Sequence, residues 1–449
     1  MDEEVPILST PGKSQRNAAV ETDPTGGRPS QEQPGCRSDE PRLWDRMLQR
    51  VVFRQLKQIQ EGRITILDRG DRHIFGPGRT AELDAEIEVR DPRFYRHLAL
   101  GGKLGGAEAY IRQYWDCSDL VSLVRIFCRN LAMSQRGDRG WARLGAPFRR
   151  ATHLLRRNTV RRSRRNIAAH YDLSNEFFAL FLDETMTYSC GVFERPDSTL
   201  KEAALAKYDR ICRKLELGPQ DHVLEIGCGW GGFAIYAAGR FGCRVTATTI
   251  SRQQYELAIQ RVREAGLQEQ VTVLQEDYRR LRGVYDKLVS VEMIEAVGDA
   301  YFDTYFRACC NLLKPDGMML LQTITIADQS YESYRRTVDF IQKYVFPGGL
   351  LPSVEAICRS LTRSSDFRLF HLEDITPHYA LTLAHWRQRF GANLDKIQQL
   401  DLPEYLLRIW EFYFCYCEGA FLERAIGDVQ MLLTRPECRR EPILPRLSS

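Results

Sequence analysis

From residue 222 onward, short apolar runs alternate with amphipathic stretches. Segment 222–226 reads as a buried strand, 232–238 as the opening of a helix and 244–249 as a second strand rich in β-branched residues. Ser251 caps a helix predicted to run to about residue 265. Segments 271–274, 287–291 and 318–323 read as further strands, with a helix over 302–313 before the last. This alternation predicts an α/β fold on a mostly parallel sheet covered on both faces. Beyond Ile326 the pattern turns helical and aromatic, with Trp410, Phe412, Tyr413, Phe414 and Phe421 close together.

The amino-terminal half reads differently. Residues 1–41 are rich in Pro, Gly, Ser, Gln and charge, lack apolar periodicity, and read as a disordered tail. Apolar residues return over 42–148, with a strand expected at 63–67, enough for a small domain of its own. Segment 149–166 is a basic linker holding Arg149, Arg150, Arg156, Arg157, Arg161, Arg162, Arg164 and Arg165. It is either a solvated connection or a patch drawn to anionic lipid headgroups, where each basic residue contributes about 1 kcal/mol. The main domain is expected over 167–435 and a tail over 436–449.

Composition narrows the class without naming it. Hydrophobic residues make up 43% and charged residues 27% of the 449, ordinary values for a globular protein. No apolar run approaches the roughly 18 residues of a spanning helix, and the acidic start Met1-Asp2-Glu3-Glu4 is unlike a secretory signal. A cytoplasmic address is expected. The 13 cysteines are scattered, without metal-ligand pairs, and read as reduced thiols. The eight histidines show no spacing that gathers a metal site, and a net charge of +4 does not call for nucleic acid.

The most specific local pattern is Val223-Leu224-Glu225-Ile226-Gly227-Cys228-Gly229-Trp230-Gly231-Gly232, a strand, a glycine turn and a helix. Glycine lets a ligand approach the backbone closely. A dinucleotide site would place its third glycine two residues beyond Gly231 and an acid at the end of the second strand; here that strand ends in Thr248-Thr249-Ile250-Ser251. The pattern resembles motif I of the class I methyltransferases. The resemblance implies S-adenosylmethionine as cofactor, with Gly227 and Gly229 beside its methionine part and Glu225 supporting the loop. Ile250 and Gln254 would reach the adenosine, Gln254 replacing the usual ribose carboxylate, and Asp277, followed by Tyr278, would sit at the adenine. A glycine turn that only packs strand on helix is the plainer alternative, and the succession of strands argues against it.

Flanking segments make the resemblance narrower. His170-Tyr171-Asp172-Leu173-Ser174-Asn175-Glu176-Phe177-Phe178, Leu182 to Cys190, Ser290 to Gly298, Phe346-Pro347-Gly348-Gly349 and Cys417 to Phe421 resemble cyclopropane fatty acid synthases and mycolic acid cyclopropane synthases over about 168–435. Gly105 to Tyr110 with Trp115 is similar to the extra amino-terminal domain of the phospholipid-acting branch. The resemblance implies a Rossmann-like, mostly parallel seven-stranded sheet. It implies an enzyme that adds a methylene group to the cis double bond of an unsaturated phospholipid acyl chain, working peripherally at an anionic membrane surface. A homodimer is compatible with these features.

The chemistry such an enzyme performs sets demands on its site. Methyl transfer to an alkene leaves a carbocation, which must be kept from water in an aromatic-lined pocket until a base removes a proton. In this family a bound bicarbonate ion is taken as the base. The resemblance implies a pocket for it at Cys190 and the carbonyl of Val291, with the side chains of Glu295 and Tyr413. The remaining family ligand, a histidine, is replaced by Gln322, as in plant-type synthases; an amide can hold an anion but cannot titrate near neutral pH. Tyr188, next to Ser189, is expected near the sulfonium, His170 orders the entry segment, and Phe340, Tyr344 and Phe346 are candidates for the acyl channel. Taken singly, Cys190, Glu295 and Tyr413 also read as a buried thiol, a helix-start carboxylate and a core aromatic. The alternatives to cyclopropanation are a methylene- or methyl-branched product, a soluble substrate, and a noncatalytic lipid-binding protein.

Overall fold

The computed structural model describes residues 43–77, 82–130 and 173–444. The arginine cluster, the predicted amino-terminal tail and His170 lie outside them. Two sheets organise the described residues. The smaller contains β1 (Arg63–Asp68), β2 (Asp71–Phe75), β3 (Asp84–Val89) and β4 (Trp115–Cys117) in the order β2-β1-β3-β4. Arg69 and Gly70, at φ 55° and 89°, make the two-residue turn between β1 and β2, a conformation that suits the twist of a hairpin. Helices Leu43–Leu56, Arg93–Ile111 and Leu120–Arg129 accompany this sheet. The side chain of Asp119 caps the last of them by accepting from Ser122 N.

The larger sheet comprises β5 (His222–Ile226), β6 (Arg244–Thr248), β7 (Val271–Leu274), β8 (Tyr285–Val291), β9 (Leu313–Ile326), β10 (Arg368–Asp374) and β11 (Ile426–Thr434), in the order β10-β11-β9-β8-β5-β6-β7. Strands β5 to β9 are parallel, and β11 runs antiparallel to both β9 and β10. The chain leaves β5 towards β6 and β7, then returns to place β8 on the other side of β5. The carboxyl ends of β5 and β8 therefore flank a topological switch point, where sheets of this kind form a ligand crevice.

All five strands expected from the alternating pattern are present. Three differ in extent: β6 ends one residue early at Thr248, β8 starts at Tyr285, and β9 takes over Leu313, the expected end of a helix that closes at Asn311, and runs on to Ile326. The region beyond Ile326 is not purely helical. Strand β11 was hidden because Val429, Met431, Leu432 and Leu433 are buried on both faces, which removes the alternation of a half-buried strand. The edge strand β10 was hidden by its mixed charge and exposure. Residues 436–444, within the predicted carboxy-terminal tail, lie along the main body, with Arg440 over the Phe370 ring and paired with Glu216.

Helix Glu404–Leu422 joins the two sheets' territories. Tyr110 donates to Glu411 (2.8 Å), Arg408 donates to the Tyr110 carbonyl (2.8 Å) and to Asp116 (2.7 Å), and Arg125 and Arg129 both reach Glu423. A Cβ at Gly419 would stand 2.8 Å from the Val124 side chain, so glycine sets how closely this helix meets Leu120–Arg129. One apolar cluster runs from Ile64 and Phe94 through to Phe177, Trp386 and Trp410.

Candidate active site

A cavity of about 1330 Å³ begins at the switch point and extends under the helices of the smaller sheet. Its loop end is built from backbone. Gly227, Gly229 and Gly231 have φ of 85°, 53° and 82°, and the N–H groups of Gly227 and Cys228 both donate to the Thr248 carbonyl (2.9 and 3.0 Å), which ties the loop to β6. Among the described residues nothing lies within 4 Å of where a Gly229 Cβ would be, and this residue lines the cavity wall. Glu225 ends up buried beside the loop, and its Oε2 has no hydrogen-bond partner among the described residues; burial pushes its pKa up to about 8, against the pull of Lys207. Ile250, Gln254, Asp277 and Tyr278 line the same end. Gln254 accepts from the Thr249 hydroxyl (2.8 Å), and Asp277 is gripped by the Arg279 guanidinium (2.7 and 2.8 Å).

The other wall, at the carboxyl end of β8, is built from buried ionisable side chains. Glu292 Oε1 accepts from the Cys190 N–H (2.9 Å) and from Gln322 Nε2 (2.8 Å), and Oε2 accepts from the Tyr379 hydroxyl (2.5 Å). Gln322 also reaches Asp428 (3.3 Å) and accepts from Gln430 (3.0 Å). Glu295 Oε1 accepts from the Thr323 hydroxyl (2.7 Å) and Ile324 N–H (2.6 Å), while Oε2 is buried without a partner among the described residues. Burial and the neighbouring Glu292 push Glu295 up to about 8. The buried Lys207 donates to Ser189 (2.5 Å) and faces Glu292 and Asp428, and burial lowers its pKa. Asp428 is raised well above the carboxylate range by burial and by Glu292 and Glu295.

Between the two walls stand aromatic rings. The Tyr188 ring lies 5.2 to 6.4 Å from those of Phe178, Phe181, Phe346, Trp386 and Trp410, and its hydroxyl donates to that of Tyr413 at 3.3 Å. Phe340 and Phe346 line the cavity as expected; Tyr344 is turned to Glu108, to which its hydroxyl donates at 3.1 Å.

The expected residues thus divide. Tyr188, Ser189, Glu225, Gly227, Gly229, Ile250, Gln254, Asp277, Tyr278, Val291, Glu295 and Tyr413 all border one cavity. Cys190 and Gln322 do not border it: they lie behind Glu292, and burial holds the Cys190 thiol protonated. Glu292, Lys207, Asp428 and Tyr379 escaped the sequence reading. Two signals pointed to them. Lys207 sits on the apolar stripe of its helix with Ala203, Ala204, Tyr208 and Ile211, and Glu292 directly follows a buried strand at its ligand-bearing end.

The seven-stranded sheet, with its glycine loop at the switch point, defines a class I methyltransferase. The mycolic acid cyclopropane synthetase family profile matches residues 158–431, and the chain belongs to that family. It is 39% identical over 348 residues to tuberculostearic acid methyltransferase UfaA1 of Mycobacterium tuberculosis, covering 76% of this chain and 81% of that protein. It is 35% identical over 351 residues to the cyclopropane-fatty-acyl-phospholipid synthase of Escherichia coli K12, covering 78% and 88%. Among solved structures, mycolic acid cyclopropane synthase CmaA1 complexed with SAH and CTAB is 34% identical with a TM-score of 0.57, covering 60% of this chain and 98% of that one.

The protein is accordingly an S-adenosylmethionine-dependent methyltransferase, and the loop end fits that cofactor: an open glycine cradle and an unpartnered buried carboxylate oxygen suit a cationic amino acid group. The other end does not fit bicarbonate. The Cys190 N–H and the Gln322 amide, expected to hold it, already donate to Glu292, and a further anion would be set beside that buried carboxylate, which among the described residues has Lys207 as its lysine.

Proposed function

We propose that this enzyme adds a methylene group to the cis double bond of an unsaturated phospholipid acyl chain, forming a cyclopropane. The observation that carries the reading is the continuity of the cavity. It runs from the glycine loop past Tyr188, Phe346 and Tyr413 to Phe340, Phe412, Leu98 and Phe94, and its 1330 Å³ exceeds the roughly 300–1,000 Å³ of a typical single-ligand site. It suits a nucleoside cofactor and a long apolar chain together.

When bound, S-adenosylmethionine supplies an electrophilic methyl on a sulfonium. The loop glycines fix that end, and the apolar walls align the alkene, which as a weak uncharged nucleophile depends on positioning. The faces of Tyr188, Phe346 and Tyr413 offer negative charge density to a cation on the chain and keep water away from it. Helices Leu43–Leu56, Arg93–Ile111 and Leu120–Arg129 supply the far wall of the chain's channel, and the arginines of 149–166 draw the enzyme to anionic lipid from the cytoplasmic side. Vesicle co-sedimentation with and without anionic lipid, using a variant with these arginines changed to glutamine, tests that attraction.

A methyl-branched product is the second reading, favoured by the likeness to a protein named tuberculostearic acid methyltransferase. Mass spectrometry of lipids formed with a methyl-deuterated cofactor separates the two. A product one methylene heavier that retains two deuteriums and resists mild hydrogenation is the cyclopropane. One that takes up hydrogen is the exomethylene precursor of a branch, and absence of any labelled lipid rejects both.

A further inference from the structure

Glu292 occupies a conformation and a position that ordinary packing does not require. Its φ is 48°, in the left-handed region that favours glycine, and the backbone is held there by its own N–H, which donates to the Gln322 carbonyl at 2.8 Å. The result is a carboxylate placed at the cavity wall, with three donors converging on it from behind and the side: the Cys190 N–H, the Gln322 amide and the Tyr379 hydroxyl. Two of those three are the groups the family resemblance reserves for a free anion.

We propose that Glu292 is the general base of the reaction: its carboxylate fills the seat of an external anion, and the enzyme works without bicarbonate. The proposal rests on reading the site as one that alkylates an acyl-chain alkene. In that reaction the alkene π pair forms the bond to the transferred methyl as the methyl–sulfur bond breaks with its pair going to sulfur, which leaves the positive charge on the second alkene carbon. A methyl C–H pair then closes the ring onto that carbon, and the proton passes to Glu292. The neutral carboxyl releases it to water once the product has left.

The surroundings suit the role. The groups that face Glu292 are Lys207, Asp428, Glu295, Cys190 and Tyr379. With Asp428 raised by burial, Glu292 and Glu295, and Glu295 raised by burial and Glu292, the negative charge of the cluster settles on the carboxylate that has three donors and Lys207 near it. Burial also raises the proton affinity of Glu292 above that of an ordinary carboxylate, which strengthens it as a base. The same three donors hold its oxygens in place, which opposes attack on the cation to form an ester.

The test uses the full-length enzyme, the methyl-deuterated cofactor and vesicles of unsaturated phosphatidylglycerol and phosphatidylethanolamine, in buffer stripped of carbon dioxide or supplemented with bicarbonate. The wild type is expected to turn over equally in both. Glu292→Gln should lose about 10²–10⁴-fold in kcat, the span of general base catalysis, with S-adenosylhomocysteine affinity unchanged by calorimetry. Glu292→Gly, which frees the Cys190 and Gln322 donors, should be nearly inactive without bicarbonate and recover saturably when it is added. A merely structural glutamate would show no such rescue. The proposal is overturned if the stripped wild type loses ten-fold or more and bicarbonate restores it, or if Glu292→Gln turns over near the wild-type rate; should the variants fail to fold, the wild-type comparison alone decides. A wild type that binds S-adenosylhomocysteine but modifies no acyl chain under either condition rejects the functional reading instead, and this proposal with it.

Discussion

At the loop end of the cavity the chain offers backbone, three glycines at positive φ with one buried acid, Glu225. At the β8 end it offers buried ionisable groups: Glu292 and Asp428 facing Lys207, with Glu295 beside Glu292. A backbone cradle fails when an atom is added, because the ligand needs the space. A charge cluster fails when a charge is removed, because what remains is uncompensated in a medium that solvates it poorly. The two ends of one cavity should therefore respond to opposite kinds of substitution.

The largest effect is expected from Lys207→Met, which keeps the length of the side chain and deletes its charge. Removing one partner from a buried ionic group costs about 3–5 kcal/mol, to be read at pH 8 as a lowered midpoint in thermal and chemical denaturation. The loss should shrink towards pH 5. Glu292 and Asp428 have raised folded-state pKa values, so the folded protein holds protons that the unfolded chain releases above its ordinary carboxylate pKa, and stability falls as pH rises through that window. Without Lys207 the fall becomes steeper. An equal loss at both pH values would mean that Lys207 acts through packing.

Glu295→Gln should act in the opposite direction. The folded carboxyl titrates at about 8 against an ordinary value of 4.5, so it lowers stability progressively as pH rises from about 4.5 to about 8. A glutamine keeps the oxygen that accepts from Thr323 and Ile324 and places a neutral group where Oε2 stands. The variant should match the wild type near pH 4.5 and exceed it at pH 8 by about 2 kcal/mol, below the limit set by roughly 1.4 kcal/mol per unit of pKa change. An unchanged pH profile of unfolding would show that Glu295 is solvated through the cavity.

The same contrast explains what the sequence disclosed. The strands around the loop and the glycine pattern at 227–232 are local signals, written in consecutive residues. The β8 cluster is not local. Lys207, Glu292 and Asp428 come from a helix, the residue that follows β8 and strand β11, and the strands' places in the sheet are set by long-range pairing, β11 against β9 and β9 against β8. The family resemblance brought Cys190, Glu295, Gln322 and Tyr413 together, yet carried over a ligand set in which position 292 had no part. Only its side chain, turned between Cys190 and Gln322, displaces those two from the cavity wall.

Within the loop the glycines should differ by their surroundings. A Cβ at Gly227 would stand 2.7 Å from the Met293 side chain, which lines the cavity, so Gly227→Ala should weaken S-adenosylhomocysteine binding by about ten-fold or more. At Gly229 a Cβ meets nothing within 4 Å. There the cost is that of a left-handed backbone, about 1–2 kcal/mol of stability, with only a few-fold change in affinity. Calorimetric titration of both variants checks the pair, and equal losses would mean that the ligand itself covers Gly229.

The smallest effect is expected farthest from either end. Leu98, on helix Arg93–Ile111, borders the cavity beneath the smaller sheet, beyond the aromatic stretch at Phe340 and Phe412. If the acyl tail runs there, Leu98→Trp shortens the channel by the length of a few methylenes, each worth about 0.8 kcal/mol when buried. The variant should leave S-adenosylhomocysteine binding untouched and shift preference about four-fold towards the shorter chain in a competition between phospholipids carrying 17- and 18-carbon unsaturated acyl groups, as about 0.8 kcal/mol for the one methylene of difference requires. A uniform loss at all lengths would place the tail elsewhere and leave the smaller sheet a supporting part only, whereas a length-dependent loss makes it a third wall of the site, built of neither backbone nor charge but of apolar volume.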